Sequence, residues 1–236
     1  MVEVLSMTLK DRVAAIRERI AAAALRAGRS PAGVLLVGVT KTRTVSEVRD
    51  IAPFIDAIGE NRVQEAAEKR KEGPRTPEWR LIGHLQGNKA RKAVELFDAV
   101  DSLDSIPLAE RLDRVAKEAG RVLPVLIEVN TAQEVSKTGT SPEDFPGLLD
   151  RVLALPNLAL EGLMTIGPLS EDEARVRGAF AGLRELSEEA RRRSGLPLPV
   201  LSMGMSGDFE WAIGEGSTMV RIGTALFGPR RPFPAI

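Results

Sequence analysis

The sequence predicts a single α/β domain, a (β/α)8 TIM barrel with one extra helix at its N-terminus. Three observations point there. About eight short apolar runs alternate with helical stretches, and repeated βα units in that number favour a closed barrel. The 236 residues match the usual size of such a barrel as one unit. No linker, low-complexity stretch or second block of composition divides the chain. An open doubly wound sheet is the competing arrangement, and it suits fewer strands.

Residues 8 to 27 place Leu9, Val13, Ile16, Ile20, Ala23 and Ala24 on one face, with Lys10, Arg12, Arg17 and Glu18 elsewhere, as an amphipathic helix requires. Gly28 ends it. The barrel follows, over about 33 to 228. Its first strand is the apolar run Val34 to Val39, which suits a parallel strand covered on both faces. Thr44 then caps a helix, with Glu47 completing a capping box. Further apolar segments fall at 54 to 58, 79 to 82, 97 to 100, 122 to 129, 158 to 164, 198 to 202 and 217 to 222. Helical stretches lie between them at roughly 61 to 71, 87 to 96, 105 to 119, 142 to 153, 170 to 194 and 207 to 214. Ser141 before Pro142, Ser170 with Glu173, and Ser206 before Asp208 and Glu210 mark helix starts. Residues 229 to 236 form a Pro-rich tail.

Composition narrows the function. Lys plus Arg and Asp plus Glu both total 33, so there is no positive field to hold nucleic acid. The runs Lys69-Arg70-Lys71 and Arg191-Arg192-Arg193 sit beside acidic residues and read as solvated helix faces. With no cysteine and one histidine, His84, thiolate chemistry is excluded and metal catalysis nearly so. The start carries Glu3 and lacks a secretory pattern, and no apolar run approaches the roughly 20 residues that span a bilayer. A cytoplasmic protein with no membrane partner is expected.

In a parallel barrel the strand ends that feed the helices open on one face, where chemistry is built. The first strand ends at Thr40-Lys41, the second at Gly59-Glu60-Asn61, and the third at Gly83-His84-Leu85. Lys41 follows a largely apolar run, so its amine should project from the barrel mouth, where desolvation favours the neutral, nucleophilic form. A plain surface lysine is the bland alternative. Loops after strands seven and eight often bind phosphate; here they read Ser202-Met203-Gly204-Met205-Ser206-Gly207 and Arg221-Ile222-Gly223-Thr224. In a closed barrel these neighbour strand one, and a lysine beside a phosphate cradle is what a phosphorylated aldehyde cofactor needs. Taken singly, Ser206 and Asn61 read equally as helix caps, His84 as structural, and Met203 as core filling.

Ordered blocks over nearly the full length carry a resemblance. They are Val37 to Lys41, Ile58 to Glu65, Leu81 to Lys89, Val100 to Ser102, Glu128 to Asn130 with Ser136 to Gly139, Gly162 to Ile166, Leu201 to Ser206, and Gly216 to Gly228. The chain resembles the pyridoxal phosphate homeostasis protein family, the YggS/PROSC group, related to the barrel domain of alanine racemase. The resemblance implies a monomeric barrel that holds pyridoxal 5′-phosphate (PLP) as a Schiff base on Lys41. Ser206, Gly223 and Thr224 would bind phosphate, and Asn61, Met203 and Arg221 would lie around the ring, with Arg221 at either the pyridine nitrogen or the phosphate. His84 stands where the family often has proline.

An amino-acid racemase is the enzymatic alternative. It needs two bases, the second being tyrosine in alanine racemases, and this sequence contains no tyrosine. A cationic arginine at the pyridine nitrogen would also weaken the ring as an electron sink. The expectation is therefore a PLP carrier serving cofactor homeostasis, with PLP-dependent apo-enzymes as partners and no substantial catalysis. A third possibility, a barrel that only scaffolds partners, predicts no cofactor absorbance.

Overall fold

In the computed structural model, residues 7–132, 134 and 137–229 are described. The Pro-rich tail from 230 onward, the first six residues, and Ser136 of the quoted motifs lie outside them. Eight parallel strands close in sequence order into a barrel: β1 (Leu35–Val39), β2 (Ala57–Glu60), β3 (Glu78–Leu81), β4 (Ala99–Leu103), β5 (Leu123–Glu128), β6 (Leu158–Met164), β7 (Val200–Ser202) and β8 (Met219–Ile222). The helices are α1 (Leu9–Arg26), α2 (Val45–Ile51), α3 (Val63–Glu72), α4 (Ala90–Leu96), α5 (Ile106–Glu118), α6 (Phe145–Leu153), α7 (Glu173–Ser194), α8 (Phe209–Gly214) and α9 (Thr224–Phe227).

The apolar stripe of α1 is buried as its spacing predicts, through Val13, Ile16, Ile20, Ala23 and Ala24. It packs on α8 and α9, so the added helix supports the β7 and β8 side of the barrel. Thr8 and Asp11 form its capping box, and Thr44 and Glu47 form that of α2. Three other helices start later than their serines suggest. Ser170 Oγ accepts from the Asp172 N–H at 3.1 Å, and Asp172 is the cap, accepting from Ala174 N–H at 2.9 Å. Ser141 Oγ likewise receives the Asp144 N–H at 3.0 Å in a turn before α6. After Ser206 the helix opens only at Phe209. Ser141 and Ser170 each organise a turn that precedes the helix, a local bond competing with helical pairing, whereas Ser206 Oγ instead accepts from Ala225 N–H.

Side chains on alternate strand positions face opposite ways. Leu36, Ile58, Leu81, Val100, Ile127, Leu163, Leu201 and Val220 join helix residues such as Ile51, Leu112, Phe180 and Phe209 in one buried cluster between barrel and helices. Inside the barrel, Val37, Ala57 and Met219 form a small separate cluster with Val200 against it. Beside them the buried Arg80 donates from Nε to both Asp101 oxygens at 2.9 and 3.0 Å. It also reaches Glu78 Oε1 at 2.6 Å and Glu161 Oε2 at 3.2 Å. Glu78 begins β3, so this charged group stoppers the end of the barrel opposite the strand-to-helix loops. β4 runs three residues past its expected end because Asp101 and Ser102 are buried strand positions, which an apolar-run criterion does not see.

Candidate functional site

β8 pairs with β1 in the register Val37 with Arg221 and Gly38 with Ile222. The residues following each strand therefore stand side by side, and they line one cavity of about 420 Å³. Lys41, Asn61, Ser206, Arg221, Gly223 and Thr224 all contribute to its wall. Val39, Ile82, Ile166, Leu169 and Met205 supply the apolar part, and Arg43 and Gly207 complete it.

Each polar group is positioned locally. Lys41 lies in a turn closed by Arg43 N–H donating to Thr40 O at 3.0 Å. Asn61 is brought in because Gly83 lets the loop after β2 lie against the loop after β3: a Cβ at Gly83 would stand 2.4 Å from Asn61 O. Asn61 Oδ1 is buried without a hydrogen-bond partner among the described residues. At Gly204 φ is +96°, and a Cβ would meet Ala212 Cβ at 2.6 Å and Phe209 Cα at 2.9 Å. Only glycine allows the loop after β7 to fold this tightly onto α8. Met205 N–H then donates to Asp208 Oδ1 at 2.5 Å. Ser206 Oγ accepts from Ala225 N–H at 3.2 Å, joining that loop to the start of α9.

Arg221 forms the floor. It is buried and donates from Nη1 to Ser202 Oγ at 2.7 Å and from Nη2 to Thr165 O at 2.8 Å. Both partners are neutral, and no carboxylate of the described residues lies in ion-pair contact with it. Burial pulls its pKa below the ordinary guanidinium value, while the more distant Asp101, Glu128 and Asp208 oppose that. Burial also pushes the Glu128 and Asp208 carboxyls up. Glu128 Oε1 accepts from Thr138 Oγ1 at 2.7 Å, and its Oε2 is buried without a partner among the described residues.

Met203 is not in this wall. It is fully buried and belongs to the cluster between barrel and helices, with its N–H donating to Met219 O at 3.1 Å; Met205, two residues on, faces the cavity. Arg43 was not singled out from the sequence. Its guanidinium lies over the Phe227 ring at 5.1 Å and donates to Gly228 O at 2.8 Å; its place two residues after Lys41, in the same turn, was the available signal. His84 is half exposed and meets Asp104 Oδ2 at 3.0 Å, away from the cavity wall. Lys137 Nζ donates to Gly167 O at 2.6 Å and is also outside it.

Residues 12–231 match the family of alanine racemase N-terminal domains. The pyridoxal phosphate homeostasis protein of Pseudomonas aeruginosa is 44% identical over 225 residues, 94% of this chain and 96% of that one. The protein of the same name from Aquifex aeolicus is 42% identical over 95% of this chain and 100% of that one. The chain belongs to the pyridoxal phosphate homeostasis protein family. Among solved structures, PipY of Synechococcus elongatus PCC7942 with PLP bound is 40% identical, with a TM-score of 0.78 over 90% of this chain and 100% of that one. Alanine racemase from Corynebacterium glutamicum, 19% identical with a TM-score of 0.71, shares the fold over 95% of this chain and 63% of that one. The homeostasis family's barrel is thus present here in full. Among the described residues no helix is long and apolar enough to cross a membrane, and no group of three His, Cys, Asp or Glu is suited to hold a metal ion.

Proposed function

We propose that this chain binds PLP in the cavity at the mouth of the barrel, anchors it covalently through Lys41 Nζ, and serves PLP supply without substantial catalysis. The observation that carries the reading is that one cavity gathers a lysine, a buried arginine with neutral partners, and the loops after β7 and β8. These fit the cofactor part by part. A primary amine answers its aldehyde; Ser206, Thr224 and the backbone at Gly223 offer donors to its phosphate. Arg221, at the end of β8 two residues before Gly223, would face the ring nitrogen if the phosphate is held at the start of α9. Asn61 Oδ1, buried without a partner among the described residues, would give the ring edge a polar neighbour. The cavity volume is in the range of small-molecule sites.

When bound, the cofactor supplies a reactive aldehyde and a ring able to draw electrons. The residues here favour holding over turnover. Facing the ring nitrogen, Arg221 would offer it a hydrogen bond but no readily available proton, which would leave that nitrogen unprotonated and the ring a weak electron sink. Beside Lys41, the wall holds among its described residues no carboxylate, histidine or tyrosine side chain that could serve as a base. Racemisation would need a second such group. The proposal includes a cytoplasmic location, a monomeric state, to which the edge-free closed barrel lends support, and delivery to PLP-dependent apo-enzymes.

Purified protein mixed with PLP should develop visible absorbance that borohydride abolishes, and the trapped mass should map to Lys41. Label on Lys89 or Lys137 instead would overturn the attachment point. Robust racemase or decarboxylase turnover, lost in Lys41→Ala, would overturn the carrier role.

A further inference from the structure

Lys41 sits in a strained turn. Arg43 N–H closes it onto Thr40 O at 3.0 Å, leaving Lys41 and Thr42 as its central residues. Thr42 has φ of +63°, the left-handed region that glycine or asparagine normally fills at this position, and a β-branched residue is disfavoured there. Such a conformation persists only where its surroundings over-determine it.

A buried charged group does this from α3 and β2. Lys69, 5% exposed, donates to Thr40 O at 2.6 Å, to Glu60 Oε1 at 2.6 Å and to Glu65 Oε1 at 2.8 Å. Its three N–H groups match three acceptors. Glu65 Oε1 also accepts from Thr42 N–H at 2.5 Å, and Thr40 Oγ1 donates to Glu60 Oε1 at 2.5 Å. The residues just before and just after Lys41 are therefore fastened to the same ammonium and carboxylates. None of Glu60, Glu65 and Lys69 lines the cavity.

We infer that Lys69 and Glu65 are positioning residues that aim the Lys41 amine into the cavity, acting through the backbone on either side of it. The inference rests on the reading of Lys41 as the attachment point. It separates two events that a general structural role would merge. Docking of ring and phosphate depends on the β7, β8 and α9 side of the cavity, whereas capture of the aldehyde depends on where the amine points.

The test uses the full chain and two ligands: PLP, and pyridoxine 5′-phosphate, which has the same ring and phosphate with an alcohol in place of the aldehyde. Glu65→Ala and Lys69→Met should slow capture of PLP on the order of 10-fold, as small misplacements of a reacting group do. Affinity for pyridoxine 5′-phosphate should stay within about two-fold of the unmodified protein, because that ligand does not use the amine. Adding Thr42→Gly to Glu65→Ala should restore most of the capture rate, since glycine adopts positive φ without strain. Should Lys69→Met fail to fold, Glu65→Ala carries the test, its side chain being only partly buried. Capture at the unmodified rate in Glu65→Ala, or equal loss for both ligands, would overturn the inference. Lys41→Ala is the control. If it still traps PLP, the attachment point is wrong; if it traps none while Glu65→Ala is unimpaired, only the positioning role fails.

Discussion

Thr224 opens α9 at the wall of the cavity, and its hydroxyl is one of few side-chain donors there. Thr224→Ala should weaken PLP binding by about 1–3 kcal/mol, the usual worth of a hydrogen bond to a charged group; unchanged affinity in a fluorescence titration would place the phosphate elsewhere. Glu128 makes a prediction about pH. Burial, chiefly, raises its carboxyl above the ordinary value of 4.5, so the folded state takes up this proton more readily than the unfolded chain. The resulting stability is complete below the ordinary value and is lost as pH rises through the folded one. The stability of the unmodified protein relative to Glu128→Gln should therefore fall between acid and neutral pH in urea unfolding. A pH-independent difference would contradict it. Legibility was uneven among individual residues. Lys41, Asn61, Ser206, Gly223 and Thr224 were readable because strand ends in a barrel share one face. Met203 and Met205 were not distinguishable, because a loop's path decides which of two neighbours turns inward. Arg43 shares the turn with Lys41 but carried no pattern of its own.

Among the elements, α1 is bound to the rest by an apolar stripe that rests on α8 and α9. Ile16→Ala should cost about 2–4 kcal/mol of unfolding free energy, the range for emptying a buried isoleucine site, with an unchanged denaturant slope. A loss below about 0.5 kcal/mol, typical of surface positions, would show that α1 contributes little. This helix was legible because 3.6-residue periodicity over five turns leaves little ambiguity, and the Thr44–Glu47 capping box was legible because it needs only four residues. Helix starts after Ser141 and Ser170 were not, since a serine that closes a turn and one that caps a helix look alike in sequence, and Ser206 Oγ accepts a hydrogen bond from the start of α9 instead. The four-residue α9 is too short to show a period.

For the molecule as a whole, loading with PLP should raise unfolding free energy by about 2.7 kcal/mol at a hundredfold excess over Kd. Lys41→Arg, which keeps the charge but cannot attach the aldehyde, should lose most of that gain in a thermal melt while retaining the fold; a full gain in Lys41→Arg would mean that attachment adds nothing to binding. Closure of the barrel was readable from the number and order of its strands. The pairing of Arg80 with Asp101 was not, because a contact between neighbouring strands far apart in sequence leaves no periodic trace. That pairing has a kinetic consequence. Arg80, Asp101, Glu78 and Glu161 fill the barrel interior with charged pairs, and the site cavity opens at the ends of the strands that feed the helices. Under the proposed function, uptake and hand-over would both pass through that face, so a recipient enzyme and a fresh cofactor molecule would compete for it, and delivery would be a queue rather than a flow-through.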